Sequence, residues 1–417
     1  MIFWSGKMAD FKIPLNIPDV EILAHDTTET YDIVLTVKST CRGVNCHRCG
    51  KWTEKRHGYD DPILIRHLPV LGRRVYLKIS LARYDCDCGG GTTTTEKLSW
   101  RNKRSSYTKA YEKHVLMEVV NSTVEDVCIK EGLNYQSVLG VIDRNIGSQI
   151  DWRKVEKIDE LGLDEIALRK GHKNFVVIVS ARVNGEIQLL GVLKDRKKET
   201  VKAFLREIPE DLAKDILVVC CDMYDGFINA VKEALGKVTI TIDRFHVTKN
   251  YRSSIEKLRR CELKRLKKAL PKKEYEKLNG AMWALRKAKE NLTDKDRKVL
   301  EILFTYSPDL KTVYNFQCEL TDIFNLKISK DEATIQILNW INRVRGSGLT
   351  DFNSFIQTLE NLWDEILNYF EGRYSSGFVE GLNNKIKVLK RRCYGIFNLK
   401  HLFQRITLDL KGYEAFV

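Results

Sequence analysis

Four short apolar runs between residues 153 and 250 restrict what this chain can fold into more than any other feature. They are Phe175–Val179, Ile187–Leu193, Ile216–Cys221 and Val238–Ile242, and each reads as a strand. A further strand fits Gly162–Leu168. Helical segments, Thr200–Ile208 and Tyr224–Leu235, separate the later runs, so the order is β-β-β-α-β-α-β. Strands with short links favour an antiparallel meander, while strands joined by helices favour parallel neighbours. The predicted fold here is α/β, a mixed sheet covered by helices.

The flanks have different rhythms. From Asn250 to Phe370 the chain reads as almost continuously helical, with pauses at Pro271 and Pro308 and a strongly basic first part, Arg252 to Lys289. Residues 1 to 100 are rich in Cys, Gly and Thr. Arg74–Leu81 alternates with period two, as a half-buried antiparallel strand does, and Gly89–Thr95 reads as a loop. Ser122-Thr123-Val124-Glu125 fits a capping box, with the serine hydroxyl taking a backbone N–H and the glutamate reaching back. The helix it starts runs to Glu131, breaks at Gly132 and restarts after Asn134 as Tyr135–Ile146. That pair is compatible with helix-turn-helix, and Tyr135, Gln136 and Arg144 are its candidates for base or phosphate contact. The reading divides the chain at 1–100, 101–152, 153–250, 251–370 and 371–417.

Charge narrows the partners. Lys and Arg number 70 against 56 Asp and Glu, a net +14 that favours a polyanion. No apolar run approaches the roughly eighteen residues of a membrane span, and Met1 to Leu15 lacks a signal-peptide pattern. Eleven cysteines, an odd count without a secretory signal, argue against a disulfide framework. The expectation is a soluble cytoplasmic protein that faces nucleic acid rather than membrane. Basic pairs crowd the stretch from Arg259-Arg260 to Lys272-Lys273, where a solvated helical face is the plainer explanation. Trp283, Trp340 and Trp363 lie in amphipathic helices and read as packing residues.

Several acids could carry chemistry. Asp222 closes the uncharged run Ile216–Cys221, and Asp164 lies on the first strand; two such carboxylates could converge on hard divalent cations. The plainer reading is that strand-end aspartates cap helices, as Asp222 could for the helix near Tyr224. Asp159 is a rival for the first acid. Glu380 is the one acid between Ser375 and Arg405, among seven Lys or Arg, and fits either an ion pair or a metal ligand in a phosphate-binding surface. His246, in Asp243-x-x-His246, fits equally a group that contacts DNA or orients the site and a capping or packing histidine. Near the N-terminus Cys46-x-x-Cys49-Gly50 has zinc-knuckle spacing. Its natural second pair, Cys86-Asp87-Cys88, is one residue short of that pattern, leaving Cys41, His47, His57 or His67 as substitutes.

In combination these pieces resemble a known family. Asp164-Glu165-Ile166-Ala167-Leu168-Arg169-Lys170-Gly171-His172, Cys221-Asp222-Met223, Asp243-Arg244-Phe245-His246 and Glu380-Gly381-Leu382-Asn383-Asn384-Lys385-Ile386-Lys387 look like the core of DDE transposases of bacterial insertion sequences. Lys390-Arg391-Arg392-Cys393-Tyr394-Gly395 continues the likeness. The type resembled is the IS-L-three group. The resemblance implies a zinc-binding N-terminal segment held by Cys46, Cys49, Cys86 and Cys88, a helix-turn-helix, and a ribonuclease-H-like domain interrupted by a helical insertion. It implies that Asp164, Asp222 and Glu380 hold two Mg²⁺ ions, with Mn²⁺ a possible replacement, for cleavage and strand transfer. Asp243 and His246 are auxiliary. Lys385, Lys387, Lys390, Arg391 and Arg392 would track phosphates. Ser180 stands where relatives often carry an acid, and it is given no catalytic part. The implied partners are double-stranded DNA, both terminal inverted repeats and target, and a second copy of the chain. A non-catalytic DNA-binding regulator and a nuclease for RNA are the competing readings.

Overall fold

The computed structural model describes residues 15–88, 91, 93–169, 173–287, 289–374 and 377–416. The motif residues Lys170, Gly171 and His172, the loop residues Gly89, Gly90 and Thr92, and Ser375 and Ser376 lie outside them, as does nearly all of Met1–Leu15. The chain forms two compact units. One runs to Asn145 and takes in the end of the chain from Lys411; the other spans Ile146–Leu410. Among the described residues no helix is long and apolar enough to cross a membrane.

The first unit opens with strands β1 (Val20–Thr27), β2 (Ile33–Ser39), β3 (Val44–Asn45), β4 (Trp52–Thr53) and β5 (Arg56–Tyr59). β6 (Ile63–Val70), β7 (Arg73–Ile79), β8 (Ala82–Tyr84) and β9 (Thr94–Thr95) follow. One sheet runs β1-β2-β7-β6, a second β5-β8-β9, and β3 pairs β4 alone. Period-two alternation does bury one face of β7, through Val75, Leu77 and Ile79. Thr94–Thr95 is not loop, as expected, but pairs with β8. Helices α1 (Lys109–Val119), α2 (Val124–Glu131) and α3 (Tyr135–Asn145) complete the unit. The capping box sits one residue later than the sequence suggested: Thr123 caps and Asp126 reaches back. From that cap α2 buries Val124, Val127 and Cys128. The turn to α3 needs Gly132, whose φ is +60°.

The second unit is built on β10 (Glu160–Arg169), β11 (Lys173–Val183), β12 (Glu186–Leu193), β13 (Val218–Cys221) and β14 (Thr239–Ile242), in sheet order β12-β11-β10-β13-β14. β12, β11 and β10 are antiparallel neighbours; β13 runs parallel to β10, and β14 parallel to β13. The expected element order holds, with α4 (Lys198–Leu205), an unforeseen short α5 (Glu210–Lys214) and α6 (Asp225–Leu235) as the crossovers. All four β13 residues are buried, as a central parallel strand covered on both faces requires.

Beyond the sheet the chain is helical: α7 (Arg244–Ala269), α8 (Lys272–Glu276), α9 (Ala281–Ala284), α10 (Asp294–Tyr306), α11 (Pro308–Asn325) and α12 (Lys330–Gly346). Then come α13 (Asn353–Asn361), α14 (Trp363–Leu367), α15 (Tyr369–Gly372), α16 (Gly377–Arg392) and α17 (Leu399–Phe416). Both proline pauses fall at helix starts, where a missing N–H costs nothing. Trp340 packs as expected: it is fully buried, and its indole N–H donates to the Phe316 carbonyl at 3.0 Å. Trp363 also packs against the core. Trp283 does not, because 60 % of it faces solvent at the rim of the short α9.

Candidate active site and metal centre

The parallel strands deliver the acids. Glu160, Leu161 and Gly162 of β10 lie level with Val218, Val219 and Cys220 of β13. Two residues past the last of these pairs, Asp164 on β10 and Asp222 just after β13 follow in the same direction on neighbouring strands, which lie about 4.8 Å apart. Cys221 lies level with Ile242, so Asp222 and Asp243 each follow the end of one of two neighbouring strands. Asp159, the rival first acid, is at the opposite end of β10; it pairs with Lys157 and accepts the Asn184 N–H at 3.1 Å.

These carboxylates have unequal surroundings. Asp164 Oδ1 accepts the Glu165 N–H at 2.7 Å, and Oδ2 accepts from the Asn383 side-chain amide. Burial pushes its carboxyl above the usual aspartate range; the charges of Asp222 and Glu165 add to that rise, and His246 opposes it. Asp222 is pushed up too, by burial first, with Glu165 adding and His246 and Arg196 opposing. Its Oδ1 accepts the Tyr224 N–H at 3.0 Å, so the helix-capping reading is partly right and uses one oxygen. Asp243, 2 % exposed, caps α7 by accepting the Phe245 N–H at 2.8 Å. His246 stands in that helix's first turn, and its charge acts on both Asp164 and Asp222.

Helix α16 brings the third acid to the same sheet. Leu382, Ile386 and Leu389 pack on Ile166, Leu168, Val176 and Ile178. The approach is close at Gly162, where a Cβ would lie 2.3 Å from Val379 and 2.9 Å from the Phe378 ring. Glu380 sits in the first turn of α16, exposed, one turn before Asn383. It does not close on the aspartates. Among the described residues the one group of three or more such side chains whose donor atoms all lie within 4.8 Å is elsewhere, at four cysteines. Three carboxylates without a cation repel one another, which is reason enough for Glu380 to face solvent.

The cysteines do converge. Cys46 Sγ lies 3.8 Å from Cys88 Sγ, and Cys49 Sγ 3.6 Å from Cys86 Sγ. A tetrahedron with Zn–S bonds of 2.3 Å has edges of about 3.8 Å, so the set fits Zn²⁺. The short Cys86-Asp87-Cys88 spacing closes because residues two apart in a non-helical segment project to one side. In the knuckle, Gly50 takes φ +73° and donates to the Cys46 carbonyl at 2.9 Å. The backbone N–H groups of Cys49 and then Arg48 draw the Cys46 thiol down to about 6, towards the thiolate a metal needs. The substitutes are engaged elsewhere: His47 with Thr94, His57 with Asp85 and His67 with Thr108. Cys41 stays outside the cluster.

Two family models match. One, described as a transposase of the IS-L-three DDE type, covers residues 161–406. The chain belongs to that transposase family. The other, the zinc-finger of transposase IS204/IS1001/IS1096/IS1165, covers residues 42–88 and so contains all four cysteines. The chain is 28 % identical to the transposase for insertion sequence element IS1001 of Bordetella parapertussis, over 93 % of each chain. It is 22 % identical to the transposase for IS1557 of Mycobacterium tuberculosis strain H37Rv, over 95 % of this chain and 93 % of that one.

In this transposase the proposed DNA contacts differ in availability. Tyr135 and Gln136 are exposed on α3, whereas Arg144 pairs with the buried Glu112 at 2.7 Å. On α16, Lys385, Lys387 and Arg391 are exposed. Lys390 donates to the Ala167 carbonyl, and Arg392 pairs with Asp409. Two site residues escaped the sequence reading. Asn383 lay inside a quoted motif with no role attached. Arg196, which pairs with Glu165 at 2.9 Å and covers the Tyr224 ring at 4.9 Å, carries no local signal at all.

Proposed function

We propose that the chain is a DNA transposase that binds the terminal inverted repeats of an insertion sequence, cuts there and joins the ends to target DNA. The observation that carries this reading is that Asp164 on β10 and Asp222 just after β13 stand on neighbouring parallel strands, each half-buried and with its pKa raised. Two hard carboxylates that disfavour their own ionisation together fit a divalent cation such as Mg²⁺. When bound, such ions supply Lewis-acid activation of the attacking oxygen and neutralise charge on the leaving one. Asp164 and Asp222 hold the ions, Glu380 completes the set, and Asn383 fixes the orientation of the Asp164 carboxylate. His246 and Asp243 support the site from the start of α7.

The sheet order and directions support a ribonuclease-H-like core, with residues 251–370 as an insertion before Glu380. Lys385, Lys387 and Arg391 grip phosphates, while Tyr135 and Gln136 read the repeat from α3. The zinc-held module shares that recognition. Two copies act together, one per element end, on DNA in the bacterial cytoplasm. The test is a labelled duplex carrying the repeat from immediately outside the gene, incubated with Mg²⁺ or chelator. Metal-dependent cutting at a defined end, lost in Asp222→Asn with binding retained, is expected. Specific binding without cutting would make the chain a non-catalytic DNA-binding protein, and preference for RNA or hybrid would replace the DNA reading.

A further inference from the structure

Two adjoining cavities lie along α7, where it packs against α11. The first, about 520 Å³, begins at Arg244 and Phe245, next to Asp243 and His246 of the candidate active site. Lys249, Arg252 and Lys289 line it, and none of the three has a carboxylate partner among the described residues. The second, about 440 Å³, takes in Arg259, Arg260 and Arg286. Those three guanidinium groups converge on the single carboxylate of Glu256, at 3.2 Å for Arg260 and for Arg286, which leaves positive charge over. Arg252 and Gln317 line both cavities and so join them into one trough. Gln317 is 6 % exposed, and its side-chain amide makes no hydrogen bond to another described residue.

One exposed ring, Phe245, lines the trough, and a second, Trp283, lies against Arg286 of its lining. Phe245 is 52 % exposed beneath the Arg244 guanidinium, at 5.3 Å. Trp283 is 60 % exposed beneath Arg286, at 5.4 Å. A cationic channel punctuated by exposed rings is how proteins hold unpaired nucleic-acid strands, with phosphates on the cations and bases on the rings. Duplex offers no free base faces, so it would leave Phe245 and Trp283 unused. We infer that this trough binds a single-stranded DNA segment leading away from the candidate active site. The inference rests on the transposase reading, because a strand is freed there only by cutting or melting an element end.

The test measures binding of a fluorescein-labelled oligothymidylate by the full-length zinc-loaded protein, with repeat duplex binding and cleavage scored in parallel. Lys249→Gln/Arg252→Gln, both surface changes, should weaken single-strand binding at least tenfold and leave duplex binding within about twofold. The salt slope should fall by about 1.4, since each phosphate contact to a single strand contributes about 0.7. Trp283→Ala should cost roughly another tenfold. Unchanged single-strand affinity and slope in these variants, with wild-type duplex cleavage intact, would overturn the trough while leaving the transposase reading standing. Absence of wild-type cleavage would overturn the reading beneath it. Tighter binding of an oligouridylate than of the DNA would overturn the assignment to DNA.

Discussion

The two candidate metal centres are built on opposite terms. Four thiols already stand at the edge lengths of a ZnS₄ tetrahedron, held by a knuckle and a short bend within one module. The acids come from β10, the end of β13 and a helix more than two hundred residues from the first, and they stop short of closure. Thiols pack readily and do not repel one another as ionised carboxylates do, so they can wait assembled. Buried carboxylates repel and resist desolvation, so a site made of them is completed by its cation. A structural centre can be rigid in advance, whereas a catalytic one keeps coordination positions open for substrate.

The contrast can be broken in several ways. The largest effect should come from stripping zinc: binding free energies of structural sites are on the order of 10 kcal/mol, so chelation should unfold the cysteine module. Zinc content and circular dichroism would record it, and Cys88→Ser should do nearly the same. Next, Asp222→Asn should cut strand cleavage on the order of a thousandfold, about 4 kcal/mol, in single-turnover assays. The same substitution should not lower the melting temperature of the metal-free protein, because it removes a carboxylate whose charge is disfavoured.

A third effect separates the units by pH. Glu131 ties α2 to α1 and β6: it meets His114 at 2.9 Å, the Tyr111 hydroxyl at 2.7 Å and Arg66 at 3.1 Å. His114 first, then Tyr111, hold its carboxyl down to about 2. A depressed acid stabilises above its unfolded value of 4.5 and loses that contribution as pH falls toward 2. The sum is on the order of 3 kcal/mol at most. The pKa of His114 is raised, so its share is present below 6.5 and lost as pH climbs through its folded value. Acid titration of melting should show the first loss, and Glu131→Gln should abolish it. Smallest, Asn383→Leu should reduce cleavage roughly 10- to 100-fold, as loss of an orienting neighbour does. Tighter Mn²⁺ binding in that variant would contradict the orienting role.

What the sequence disclosed follows from distance along the chain. The β-β-β-α-β-α-β order was legible because strand and helix periods are local. The register between the strands of Asp164 and Asp222 was foreseeable only as adjacency, since strand pairing is decided by the whole sheet. The Cys86-Asp87-Cys88 pair looked one residue short, and only the fold of the surrounding strands shows that it closes. Trp283 was misread as core because amphipathic spacing gives a face but not what covers it, and the four-residue α9 is too short to bury it. Arg196 reaches Glu165 from the far end of β12, a contact no local pattern announces.

The central claim is that Asp164 and Asp222 form a paired site for hard cations, separate from the sulfur centre. Electron paramagnetic resonance of Mn²⁺ added to the zinc-loaded protein tests it most directly, with Asp222→Asn beside the wild type. The account predicts bound Mn²⁺ in the wild type that the variant fails to take up, at equal zinc content in both. Equal Mn²⁺ uptake by the two proteins would contradict it.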